Sequence, residues 1–206
     1  MLGLGVHKKL EEINFKPVGV NMLRLLSLDL GNNLGYSVIE CSLADRCNPK
    51  WYFDSFDDKC GVLKLVTSGR ESWGARFIRF KTFLNKVSPT CIFYEEIRQR
   101  FKSNAAACNY GGFVSTLVTW GADNRTDCLA LAVGSIKKHA TSKGNAGKDL
   151  MIEAANSKFG MKLSFDRKDD DNIADALHIM SLGIEHYYGA ELVLSQLSAK
   201  NRGFKD

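Results

Sequence analysis

Residues 22–31, MLRLLSLDLG, form an apolar run that ends in a glycine and carries a single acid near its close. A short apolar run bounded by turn chemistry reads as a buried strand. After Asn32-Asn33, LGYSVIE (34–40) reads as a second strand, with Asn-Asn-Leu-Gly as the hairpin turn. KWYFDSF (50–56) alternates apolar and polar residues and is expected to be a third. Three strands joined by short connections imply an antiparallel meander.

The period then changes. Trp73, Phe77, Phe80, Leu84 and Val87 recur every three or four residues, the pattern of an amphipathic helix packed by aromatics. Pro89 ends it, and TCIFYEE (90–96) reads as a short strand. An Ala-rich helix is expected over 104–121, a buried strand over CLALAVG (128–134), and a helix from about Ala146 to Phe159. A last helix, Asp170 to Tyr187, shows Ile173, Leu177, Met180 and Ile184 on one face. The expected fold class is therefore α/β: a mixed sheet, with a three-strand antiparallel meander plus parallel strands, flanked by helices.

The 206 residues suit one domain over 22–188. Residues 1–21, with a short helix at His7–Ile13, are expected to be an extension, and 189–206 a weakly patterned, fraying tail. No apolar run approaches the roughly 18–20 residues that cross a bilayer, so no membrane role is expected. Charges in MLGLGVHKKLEEI fall where a signal peptide needs its apolar core. Six cysteines contain no CxxC pair, and Cys91, Cys108 and Cys128 lie in apolar runs, where a thiol behaves as a small hydrophobe. A reduced, cytoplasmic protein is the expectation.

The net charge is +5, and its distribution says more than its size. SIKKHATSKGNAGK (135–148) holds Lys137, Lys138, Lys143 and Lys148 with no acid. A basic loop beside glycines suits a polyanion, although a solvated loop has the same composition. The acids are placed differently. Asp29 stands between Leu28 and Leu30, Glu95 and Glu96 close an apolar strand, and Asp171 and Asp175 stand four apart on a helix, sharing a face. A carboxylate inside an apolar segment is costly unless paired or bound to a metal. Carboxylates that converge suit Mg2+ or Mn2+, and two such ions about 3.5–4 Å apart can activate water and stabilise the leaving oxygen of a phosphodiester. Read singly, each acid also has a structural role open to it: Asp170 and Asp171 as first-turn acids, Glu95 and Glu96 as partners of Arg98 and Arg100, and Asp29 as a turn cap.

Taken together, LSLDLGNNLGYSVIE (26–40), IFYEEI (92–97) and DDDNIADALHIM (169–180) resemble the RuvC-type Holliday junction resolvases of the RNase H-like superfamily, phage-encoded members above all. The resemblance spans about residues 22 to 185. It implies a homodimeric endodeoxyribonuclease that cleaves branched DNA with two Mg2+ ions, for which Mn2+ substitutes. Asp29, Glu95 and Asp175, in an Ala-Asp-Ala-Leu core, correspond to metal-binding catalytic acids. The family's fourth acid lies three residues before the last, where this chain has Asn172; Asp171 is the expected substitute, with the Asn172 amide as the alternative. Lys137 and Lys148 correspond to the family's two phosphate-contacting lysines, with Lys148 placed at the transition state. Lys138, Lys143, Arg98, Arg100 and Phe101 are the remaining candidate DNA contacts, Phe101 standing later than the family's stacking aromatic. The Ala-rich helix 104–121 is the candidate dimer surface.

Rival readings are an RNase H-like nuclease acting on flaps, forks or RNA–DNA hybrids, and a catalytically silent DNA-binding or packaging accessory. His178 is read as packed or solvated rather than ligating, and Trp51, Trp73 and Trp120 as core or interface aromatics. His7, His139 and His186 form no recognisable dyad with a nucleophile.

Overall fold

The computed structural model describes residues 7–13, 15, 17, 19, 21–42, 60–98, 101 and 103–202, with the backbone alone for His7, Ser42 and 188–202. Strands β1 (His7–Lys8), β2 (Met22–Asp29), β3 (Asn33–Ser42), β4 (Cys60–Lys64), β5 (Cys91–Glu96) and β6 (Asp127–Ala132) make one sheet in the order β1-β4-β3-β2-β5-β6. The β2–β3 and β3–β4 pairs are antiparallel, whereas β1–β4, β2–β5 and β5–β6 are parallel. The helices are α1 (Ala75–Val87), α2 (Asn104–Asn124), α3 (Val133–Thr141), α4 (Lys148–Phe159) and α5 (Asp170–Arg202). This is the mixed, helix-flanked sheet expected from the sequence.

The period of two along each strand sends alternate residues to opposite faces. Leu26, Leu28, Ile92 and Tyr94 pack with Phe80, Phe83 and Leu84 of α1 and with Phe113, Leu117 and Trp120 of α2. Leu25, Ile39, Cys91 and Phe93 face the other way, toward Ile136 of α3, Ile152 and Ala155 of α4, and Leu177 and Met180 of α5. Both faces of β2 and β5 are thus covered, which is why these strands are nearly continuous in apolar residues.

The helix α5 lies unusually close to the sheet because small residues line the contact. A Cβ on Gly183 would come 2.3 Å from the Phe93 ring, and Ala174 and Ala176 are fully buried. A Cβ on Gly35 would come 2.1 Å from the Asn172 carbonyl oxygen. Only glycine at 35 lets the first turns of α5 rest on β3.

Several local expectations differ from the structure. The strand expected over 50–56, and Trp51 with it, lie outside the described residues; the strand that pairs with β3 is Cys60–Lys64. His7–Ile13 is a two-residue strand and a 3-10 turn, Leu10–Glu12, because His7 and Lys8 find a sheet edge on β4. The basic segment is largely helical, α3 covering 133–141, anchored by buried Ile136. Helix α5 runs on to Arg202, since one Gly at 189 weakens a helix without ending it. Cys108 and Trp73 are exposed rather than packed, whereas Trp120 is buried and its Nε1 donates to Asn85 Oδ1 at 2.7 Å. Among the described residues no helix is long and apolar enough to cross a membrane.

Candidate active site

Asp29 ends β2, Glu95 is the penultimate residue of β5, and Asp171 and Asp175 occupy the first two turns of α5. Because β2 and β5 are parallel neighbours, their acids emerge at the same end of the sheet. Two local devices bring α5 to that end, and a third fixes the end of β5. Ser27, two residues before Asp29 and so on the same face, donates its buried hydroxyl to the Ala176 carbonyl at 2.6 Å. Gly35 is the register partner of Asp29 and admits the backbone of Asn172. On the β5 side, the Tyr110 hydroxyl donates to the Glu95 carbonyl at 2.8 Å and accepts from the Ile97 amide at 3.0 Å, which pins the strand end.

The four carboxylates are half-buried and act on one another. Burial holds Asp29 well above the usual carboxylate range, and repulsion from Asp175, Glu95 and Asp171 adds to it; Lys148 opposes the shift. Asp175 is pushed up to about 7, first by burial and then by Glu95 and Asp171, against Lys137 and Lys148. Burial also raises Glu95, and Lys137 lowers it. Lys148, at the start of α4, is bonded to Asp171 Oδ2, which raises its ammonium together with the fields of Asp175 and Asp29. Four carboxylates and two lysines from β2, β5, α3, α4 and α5 therefore form one electrostatic set.

The neighbouring acids are engaged elsewhere. Asp170 is fully buried, accepts from the Ser164 amide at 2.7 Å, and pairs with Arg167 at 3.5 Å. Asp169 accepts from Asn33 Nδ2 at 2.9 Å and from Asn172 Nδ2 at 3.4 Å, a bond that engages the amide nitrogen of Asn172 and leaves its Oδ1 out. Glu96 pairs with exposed Arg98 at 2.7 Å. Lys138 and Lys143 are exposed on and after α3. Phe101 packs its ring 5.4 Å from that of Tyr110, and Arg100 lies outside the described residues. His178 is buried with Nε2 2.9 Å from the Met151 carbonyl; burial pushes it down to about 4, so it is a neutral core histidine. His139 contacts Ser181, Lys158 and Glu185, away from the acids.

Ser27, Gly35 and Tyr110 were not singled out in the sequence. A serine two residues before Asp29 inside an apolar strand is a legible signal. Gly35 and Tyr110 become meaningful only once register and helix placement are known.

The donor set is chemically that of a hard divalent cation: carboxylate oxygens, with lysines at the margin. It is not a closed shell, since no three His, Cys, Asp or Glu side chains among the described residues are grouped tightly enough to enclose an ion. Lys148 supplies the positive charge beside Asp171, and the mutual repulsion of the acids is what a cation would relieve.

In sequence the chain matches no family model and no curated protein. In three dimensions it is similar to Thermus thermophilus RuvC, at 18% identity over 81% of this chain and 97% of that one, with a TM-score of 0.58. It is similar to T. thermophilus RuvC in complex with Holliday junction substrate, at 19% identity, 82% and 96% coverage, and a TM-score of 0.61. The yeast mitochondrial Holliday junction resolvase matches at 19% identity, over 87% of each chain, with a TM-score of 0.52. The fold is that of a RuvC-type resolvase.

Proposed function

We propose that this chain is a divalent-metal-dependent endodeoxyribonuclease that cleaves Holliday junctions or related branched DNA. What supports this reading is that the ends of β2 and β5 and the start of α5 come to one end of the sheet, which sets Asp29, Glu95, Asp171 and Asp175 within electrostatic reach of one another. The fold it sits on adds support, since one of the similar structures is described as a RuvC bound to a Holliday junction.

Asp29, which feels all three other acids, would hold Mg2+ or Mn2+ together with Glu95, Asp175 and Asp171. Bound ions supply charge at the phosphate and make water a competent nucleophile at neutral pH. The chain's own residues do the rest. Ser27 and Gly35 keep α5 seated, so Asp175 stays opposite Asp29. Lys148, held beside Asp171, would neutralise the scissile phosphate. Lys137, Lys138 and Lys143 hold flanking phosphates, and Arg98, Arg100 and Phe101 are further DNA contacts in this reading. The homodimer and the cytoplasmic setting expected from the sequence belong to the same reading, two copies providing two cuts on one symmetric junction.

A panel of four-way junction, Y-shaped DNA and RNA–DNA hybrid tests it. Nicking of the junction with Mg2+, abolished by EDTA and regained on adding Mg2+, is expected. Preference for forks or hybrids would move the assignment within the superfamily. DNA binding without metal-dependent nicking of any substrate would make the chain a silent accessory.

A further inference from the structure

One side chain at this end of the molecule is held firmly yet lacks a counter-charge. Arg76, in the first turn of α1, donates Nη1 to Asn109 Oδ1 at 2.9 Å and to Asn32 Oδ1 at 3.2 Å. Asn109 Nδ2 closes the triangle by donating to Asn32 Oδ1 at 3.1 Å. The guanidinium lies over the Trp73 indole, 4.3 Å from its centroid. Arg24, Arg79, Arg98 and Arg167 each meet a carboxylate. Arg76 meets none among the described residues, only two neutral amide oxygens, and its Nε is buried without a partner. Trp73 leaves 49% of its surface exposed.

The placement gives this pair a purpose. Asn32 lies in the β2–β3 turn three residues beyond Asp29, and its neighbour Asn33 reaches Asp169 just before α5. Asn109 adjoins Tyr110, which pins the strand end at Glu95. Both anchors of Arg76 are thus tied through their chain neighbours to the segments that carry the carboxylates. The pair stands across the turn from them, on the α1–α2 side of the same sheet end.

We propose that Trp73 and Arg76 form a nucleotide-binding subsite, the exposed indole stacking on a base and the positioned guanidinium holding an adjacent phosphate of a DNA strand entering the carboxylate centre. The chemistry fits that ligand specifically. An ordered guanidinium without an acid partner presents fixed N–H donors to a phosphate, and an indole with one face on the guanidinium has its other face for a planar base. The amide anchors hold the arginine without neutralising it, which a carboxylate would do. The inference rests on the reading of the chain as a DNA enzyme, and adds to it where the strand is gripped outside the metal-binding acids.

The test measures binding rather than cleavage. Full-length protein carrying Asp29→Asn is titrated in EDTA, over a salt series, with a fluorescent four-way junction and with single-stranded DNA containing 2-aminopurine. Trp73→Ala and Arg76→Gln are each expected to weaken DNA binding by about ten-fold, and Trp73→Phe to restore most of the loss. Arg76→Gln is also expected to lower the slope of log affinity against log salt by about one. Quenching of 2-aminopurine should shrink in Trp73→Ala. Trp73 is exposed, so its variant keeps the parent's melting temperature and carries the test even if Arg76→Gln loosens the turn. Parent-like affinity, quenching and salt slope in both variants would overturn the subsite alone. Absence of DNA binding in every form would overturn it together with the enzyme reading.

Discussion

Strand β2 carries a charged side chain near each end, and the two are treated in opposite ways. At the start, Arg24 is 2% exposed, and its register partner on β3 is Glu40, bonded through Nε at 2.7 Å and Nη2 at 2.6 Å. Arg24 Nη1 also donates to the Val87 carbonyl, and Phe15 lies beneath the guanidinium. At the far end, Asp29 has Gly35 as its register partner, which offers no side chain, and its charged neighbours are three more acids and Lys148. One end uses charge to complete the fold. The other accumulates like charge at a cost in stability, and a chain keeps such a cluster where binding recovers that cost.

Four substitutions or conditions break this contrast, in decreasing order of effect. Asp29→Asn keeps the shape of the site and removes its shared charge; junction cleavage should fall by about 10³-fold or more, in a gel assay with Mg2+. Cleavage within ten-fold of the parent would remove Asp29 from the mechanism. Arg24→Met removes the guanidinium that Glu40 pairs with at the other end, and urea unfolding should register a loss of about 3 kcal/mol, the low end for a broken buried pair because Glu40 is partly exposed. A loss under about 1 kcal/mol would mean that the Arg24 pair is as dispensable as a surface bridge.

Gly35→Ala places a Cβ on the Asn172 carbonyl and must push the first turn of α5 outward. A cost of about 2 kcal/mol is expected, with a loss of cleavage that exceeds what the fall in melting temperature explains. Parent-like stability would show that α5 is not seated on β3 as described.

The smallest effect is on pH dependence. Asp29 and Asp175 sit above the usual carboxylate range, so the folded chain holds protons that the unfolded chain releases. The stability these groups contribute is present below about pH 4 and is lost as pH rises through the folded value, about 7 for Asp175. His178, depressed to about 4, acts in the opposite sense: its contribution is present above its usual 6.5 and is lost as pH falls toward 4. Comparing each protein with itself in EDTA isolates the acids. Asp175→Asn should gain about 1 kcal/mol over the parent at pH 7.5 and little at pH 4. An equal difference at both pH values would contradict the repulsion.

The layout of the fold was legible because most of its elements are periodic. β2 and β5 are apolar runs, and α1 carries Phe77, Phe80, Leu84 and Val87 at helical spacing. The acids were legible for a related reason, since Asp29 and Glu95 interrupt segments that are otherwise apolar. Elements that depend on distant partners were harder to read. CGVLK becomes β4 only because Gly61 and Val62 meet Tyr36 and Gly35 on β3. The 135–148 segment, rich in Lys and Gly, looks like a loop until Ile136 finds the core beneath α4 and α5. Tyr110, Asn109 and Arg76 matter through bonds to segments up to 77 residues away, which no local pattern encodes.

The central claim is that Asp29, Glu95, Asp171 and Asp175 together take up a divalent cation. Titration of Mn2+ into the metal-free protein at pH 6.5, followed by calorimetry in two buffers, tests it without requiring turnover. Saturable binding with proton release is predicted for the parent, weakened at least about ten-fold in both Asp29→Asn and Asp175→Asn. Mn2+ binding that is absent in the parent, or undiminished in those variants, would contradict it.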